Sequence, residues 1–114
     1  MINKTHRFHG LGSLNYVYRH GKTVRLNGLL LRYIVNERRT TYRCAVVVSK
    51  KVHKSAVARN RIRRRMYEAV RLATSETTKP YDLVFTITNE QITGLNAGEL
   101  HQIVGQLLKE AGSV

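Results

Sequence analysis

At 114 residues, 42% of them hydrophobic, the chain is long enough for one domain with a modest core, expected over residues 1–114, and too apolar to remain disordered. Its single cysteine, Cys44, excludes an internal disulfide and a multi-thiolate metal site, and no apolar run approaches the roughly 18 residues of a membrane span. Twenty Lys and Arg against seven Asp and Glu give a net charge of +13, a self-repulsion that is usually matched by a polyanion.

The opening MINKTHRFHGLGSL lacks the apolar stretch of a secretory signal, so a reduced, cytoplasmic protein is expected. Ser13 to His20 (SLNYVYRH) reads as a short helix. Ser13 stands as its N-cap, Leu14, Val17 and Tyr18 share a face, and Gly21 suits a left-handed C-terminal cap. Lys22 to Leu26 adds a short strand before an Asn27–Gly28 turn. Leu29 to Val35 and Tyr42 to Ser49 are rich in strand formers, and the polar NERRTT between them fits a hairpin connection.

SKKVHKSAVARNRIRRRMYEAVR, residues 49 to 71, follows. At about 100° per residue, Ala58, Ile62, Met66, Ala69, Val70 and Ala73 fall within one arc of about 120°. Arg64 and Arg71 lie opposite, with Asn60, Arg63 and Tyr67 close by. Asp82 to Thr88 (DLVFTIT) reads as a buried strand. Asn96 with Glu99 forms a capping box for a helix carrying Leu100, Ile103, Val104, Leu107 and Leu108 at helical spacing, and Gly112 ends it. The order is a helix, two or three strands, then helix, strand, helix. This is an α+β sandwich with helices packed on a mixed sheet.

The charge is concentrated. Twelve Lys and Arg face Glu68 alone between Arg38 and Arg71, leaving about +2 for the rest of the chain. Guanidinium groups bind phosphate oxygens bidentately and stay protonated, so an arginine-rich helix favours a nucleic-acid backbone. Its small apolar face (Ala58, Ala69, Ala73) suits packing on a sheet better than lying on an anionic membrane. Catalysis by the protein is not expected. The acids are spread singly, and His6, His9, His20, His53 and His101 show no metal-ligand spacing. Tyr16, Tyr18, Tyr33, Tyr42 and Phe8 cluster in the N-terminal half, where some rings pack in the core and one or two are expected to stack on unpaired bases.

VSKKV (Val48 to Val52), a short spacer, and ARNRIRRRMYEAVR (Ala58 to Arg71), followed by a strand of the type DLVFTI, resemble the protein subunit of bacterial ribonuclease P. The resemblance covers essentially the whole chain. It implies an αβββαβα fold of ribosomal-protein type with a left-handed crossover. It also implies a ribonucleoprotein in which the RNA subunit and its Mg²⁺ hydrolyse the 5′ leader from precursor tRNA. The protein would then have no catalytic or metal-binding residue, and would act as a monomer, one per RNA.

By the same resemblance, Lys50, Lys51, Lys54, Arg59, Asn60, Arg61, Arg63, Arg64, Tyr67 and Arg71 bind RNA. Leu14, Tyr18, Tyr33 and Ser49 line a cleft for the single-stranded leader, with Arg32 competing with Tyr33 for the sheet position. Leu14 stands where many members have a second aromatic, and Tyr67 at a helix position often basic. Against this reading stand a small ribosomal or other structural RNA-binding protein, a DNA-binding protein and a protein-only nuclease.

Overall fold

The computed structural model describes residues 11–26, 28–74 and 79–112. In chain order they form α1 (Leu11–His20), β1 (Lys22–Leu26), β2 (Leu29–Val35), β3 (Arg43–Val48), α2 (Ala56–Ala73), β4 (Tyr81–Ile87), a 3-10 turn (Glu90–Gly94) and α3 (Ala97–Ala111). This is the expected order. The 3-10 turn is an addition, opened by Asn89, whose side chain accepts from the Gln91 N–H at 2.9 Å. α2 starts at Ser55, whose hydroxyl accepts from the Ala58 N–H. α3 has the expected capping box, with Asn96 and Glu99 bonded reciprocally at 2.8 and 3.1 Å, and closes at Gly112.

The four strands lie in the order β1-β2-β4-β3. The hairpin expected through NERRTT is therefore wrong. β2 pairs with β4 antiparallel, β3 pairs with β4 parallel, and β4 separates the two strands that follow each other in sequence. The physical reason lies in β4 itself. Asp82, Leu83, Val84 and Phe85 are buried consecutively, so both faces of this strand are covered and it belongs in the middle. β1 forms an edge blunted by exposed Lys22, Thr23 and Arg25.

Register divides the sheet into two faces. Leu29, Leu31 and Tyr33 of β2 stand beside Ile87, Phe85 and Leu83 of β4, and with Cys44, Val46 and Val48 of β3 they meet α2 and α3 in the main core. Fully burying a Leu, Ile, Val or Phe side chain there contributes about 1.5–3 kcal/mol. Leu30, Arg32 and Ile34 point the other way, with Val84, Thr86, Ala45 and Val47. α1 packs there on β2 and β4, and Val17 and Val84, both fully buried, lie outside the main core.

Asp82 fixes one end of this second face. Its carboxylate accepts from Arg43 Nε (3.0 Å) and Nη2 (2.9 Å) and from Asn36 Nδ2 (3.0 Å). The buried charge is thus paired and satisfied, and the end of β2 is tied to the start of β3 across β4.

α1 begins two residues earlier than expected, which puts Ser13 inside the helix and any capping residue outside the described ones. Gly21 does not adopt a left-handed conformation; among the described glycines only Gly28 and Gly112 have positive φ. It is required for space: a Cβ there would lie 2.6 Å from the Val17 carbonyl oxygen and 3.0 Å from that of Tyr33. Of the Asn27–Gly28 turn, Asn27 lies outside the described residues and Gly28 has the positive φ (77°) of a tight hairpin.

Candidate nucleic-acid interface

α2 is the most basic element, and its arginines are not equivalent. Arg61 and Arg64 have no hydrogen-bond or ion-pair partner among the described residues and are exposed. Arg59 turns back along the helix, donating from Nη1 to the carbonyl oxygens of His53 (3.0 Å) and Lys54 (2.9 Å). Arg65 donates to the carbonyls of Ile92 (3.5 Å) and Leu95, tying the turn before α3 onto α2. Arg63 donates to Asn60 Oδ1. Arg71 grips Glu68, with Nε 3.1 Å from both carboxylate oxygens, and this guanidinium holds the Glu68 carboxyl down at about 2.

Position around the helix explains this division. Arg59 lies within the angular range of the buried stripe and Arg65 at its edge, so both forks reach protein carbonyls. Arg61 and Arg64 lie outside it and face away.

Ahead of α2, Ser49, Lys50, Lys51 and Lys54 are exposed on the connection leaving the end of β3. The Val52 N–H donates to the Ser49 carbonyl (3.1 Å), and the Ser55 N–H to His53 Nδ1 (3.1 Å). With Arg59 holding the His53 and Lys54 carbonyls, this lysine-bearing connection has a fixed path into the helix.

The second surface is the α1 side of the sheet. Tyr18 is half-buried, with the Arg32 guanidinium carbon 5.4 Å from its ring centre and Arg32 Nη1 donating to the Tyr18 carbonyl (3.1 Å). Leu14 is half-buried one turn earlier. Ala45 and Val47 of the edge strand β3 remain half-buried on this face, which leaves an apolar strip beside α1. An apolar strip flanked by a stacked Tyr–Arg pair and ending near lysines can hold an extended single strand, bases against the strip and phosphates toward the cations.

Comparison with known proteins places this geometry. A family model described as Ribonuclease P matches residues 2–112. The chain belongs to the ribonuclease P protein family. The ribonuclease P protein component of Chloroflexus aurantiacus (strain J-10-fl) is 40% identical over 95 residues, which cover 83% of this chain and 69% of the relative. That of Clostridium kluyveri is 41% identical over 98 residues, covering 84% and 85%. The structure of the Staphylococcus aureus RNase P protein superposes with a TM-score of 0.82 over 96% of this chain and 98% of that one, at 21% identity, which speaks for the fold alone.

Two residues expected at this family's RNA surface lie elsewhere. Tyr67 is in the core, 8% exposed, and its hydroxyl accepts from the Val46 N–H of β3 at 3.3 Å. A tyrosine beside the apolar stripe reaches inward with its ring, so it cannot stack on RNA. Tyr33 packs against the α2 and α3 side, parallel to Tyr81 with ring centres 5.9 Å apart. Strand alternation requires it: once Leu29 and Leu31 enter the core, Tyr33 follows them and Arg32 faces α1.

The other expected residues sort into three states. Lys50, Lys51, Lys54, Arg61 and Arg64 present free cationic ends among the described residues, and Ser49 is exposed beside them. Arg59, Asn60, Arg63 and Arg71 lie on or beside that surface with intramolecular partners already engaged. Leu14 and Tyr18 are half-buried on the α1 side of the sheet. Among the described residues no group of three or more His, Cys, Asp or Glu side chains could hold a metal ion. No described helix is long and apolar enough to cross a membrane.

Proposed function

We propose that this chain is the protein subunit of ribonuclease P, the endonuclease that forms mature tRNA 5′ ends. The basic surface of α2 and the preceding loop docks on the catalytic RNA, and the groove beside α1 holds the 5′ leader of precursor tRNA. Chemistry belongs to the RNA subunit with Mg²⁺ held on RNA. The protein acts as a monomer, one per RNA, in the cytoplasm. Its contribution is positional: cations offset phosphate repulsion between two RNAs, and Tyr18 with Arg32 grips nucleotides found only in the precursor. The observation that carries this reading is the coexistence, on one rigid sheet, of free arginines on α2 and a separate Tyr–Arg groove on the opposite face. The family match leaves the ribosomal-protein alternative unfavoured.

Cleavage of a precursor tRNA by a bacterial ribonuclease P RNA at low Mg²⁺, with and without this protein, tests the proposal. Cleavage is expected only when both are present. No stimulation of a cognate RNA would overturn it in favour of a structural RNA-binding role, and cleavage by the protein alone would overturn the assignment of chemistry to RNA.

A further inference from the structure

Among the described residues only four large apolar side chains are strongly exposed, and two of them, Tyr16 and Val35, line the same cavity. Its other walls include Ile34, Glu37, Arg38 and Arg43. This cavity is not the groove described above. Val17 points into the sheet, so Tyr16 and Tyr18, each about 100° from it in opposite senses, leave α1 on opposite sides. Tyr18 meets Arg32; Tyr16 meets the far ends of β2 and β4 and the loop after β2.

The cavity has a fixed floor and two uncommitted polar groups. Asp82 holds Arg43 and Asn36, and Asn36 Oδ1 accepts from the Arg38 N–H (3.2 Å), so these groups cannot turn to a ligand without breaking the network. The side chains of Glu37 and Arg38 have no partner among the described residues and are exposed. The Tyr16 ring packs beside that of His20, with centres 4.6 Å apart and planes tilted by 45°, and remains 55% exposed among the described residues.

We propose that this pocket binds one unpaired nucleotide of an RNA bound to the protein, with guanosine preferred. Resting on the ribonuclease P reading, it adds a second nucleotide site on the side of α1 away from the leader groove. Tyr16 stacks on the base, with Val35 and Ile34 excluding water from its edge. A carboxylate is acceptor-only, and guanine alone among the bases offers it two adjacent donors, N1–H and the N2 amino group. Arg38 supplies a donor fork for the nucleotide's phosphate or for guanine O6 and N7. A site carrying only arginine would be indifferent to the base; Glu37 makes it selective.

The test uses amide NMR spectra of the ¹⁵N-labelled full chain titrated with the pentaribonucleotides UUGUU and UUUUU. UUGUU is expected to move the amides of Tyr16, Glu37 and Arg38, and UUUUU to bind at those positions about tenfold more weakly. Tyr16→Ala should weaken the response there about tenfold, while Tyr18→Ala leaves it in place. Glu37→Gln should abolish the preference for UUGUU. All three substitutions are on partly or fully exposed side chains, and the rest of the spectrum reports that the fold is kept. The proposal is overturned if the amides near Tyr18 and Arg32 respond while those of Glu37 and Arg38 do not, or if Tyr16→Ala changes nothing. Silence of both regions would overturn the leader groove as well.

Discussion

Six arginines lie between Ala58 and Arg71, and four of them, Arg59, Arg63, Arg65 and Arg71, already have partners within the chain. Their contributions to RNA binding should therefore differ in kind. In the proposed complex Arg61 meets phosphate directly, and Arg61→Ala should reduce the slope of log K against log salt by about 0.7–0.9. Arg59 orders the loop that carries Lys50, Lys51 and Lys54. Arg59→Ala should lower affinity with a smaller change in that slope, because no free guanidinium leaves the surface. Binding of the catalytic RNA measured at four or five salt concentrations separates the two, and equal slope losses would make Arg59 a phosphate contact after all. Composition counts these arginines alike; only the carbonyls within reach of each fork distinguish them.

At the scale of elements, the seat of α1 decides whether the proposed leader groove can form. Gly21 lets the helix end press against β2, and an added methyl would meet two backbone oxygens that cannot move independently. Gly21→Ala should displace α1 from Arg32, weakening precursor tRNA binding about fivefold or more while leaving mature tRNA binding and the α2 surface unchanged. Comparing affinities for the two tRNAs checks this, and an equal loss for both would place the damage in the fold at large.

Much at this scale was legible in the sequence. The stripe on α2 and the Asn96–Glu99 box are local patterns and appear where expected. Two features were not. The exchange of Tyr33 for Arg32 turns on a one-residue step in a strand whose residues Leu29 to Leu31 are all apolar, so alternation gives no phase there. Strand order depends on which strand is covered on both faces. The unbroken run in DLVFTI carried that signal, but a polar loop between two strands was the louder one. Tyr67 shows a third limit, since a helical wheel assigns directions to Cβ atoms while a long ring can bend toward the core.

For the whole molecule, the net charge of +13 gives a long-range pull on any RNA, tempered locally by Glu68. Arg71 keeps that carboxyl at about 2, below its ordinary value of 4.5. The attraction is present above the ordinary carboxylate range and is lost as the pH falls through about 2, so Arg71 stays masked at every pH at which RNA binding would be measured. Glu68→Gln should unmask it, raising RNA affinity a few-fold at low salt and steepening the salt slope by about 0.7–0.9. Filter binding at two ionic strengths checks this; an unchanged slope would mean that Arg71 does not face RNA.

The central position of β4 also governs how the protein comes into being. A ribosome delivers β1, β2 and β3 first, yet β3 can join the sheet only through a strand that arrives after α2. Until Tyr81 to Ile87 emerge, β3 has no sheet neighbour, Arg43 has no Asp82, and the underside of α2 has only part of the surface it covers. The nascent chain thus displays a dense cationic segment before it owns a folded scaffold for it, and completes the two faces of that scaffold nearly together, when a single strand slides into the gap left for it.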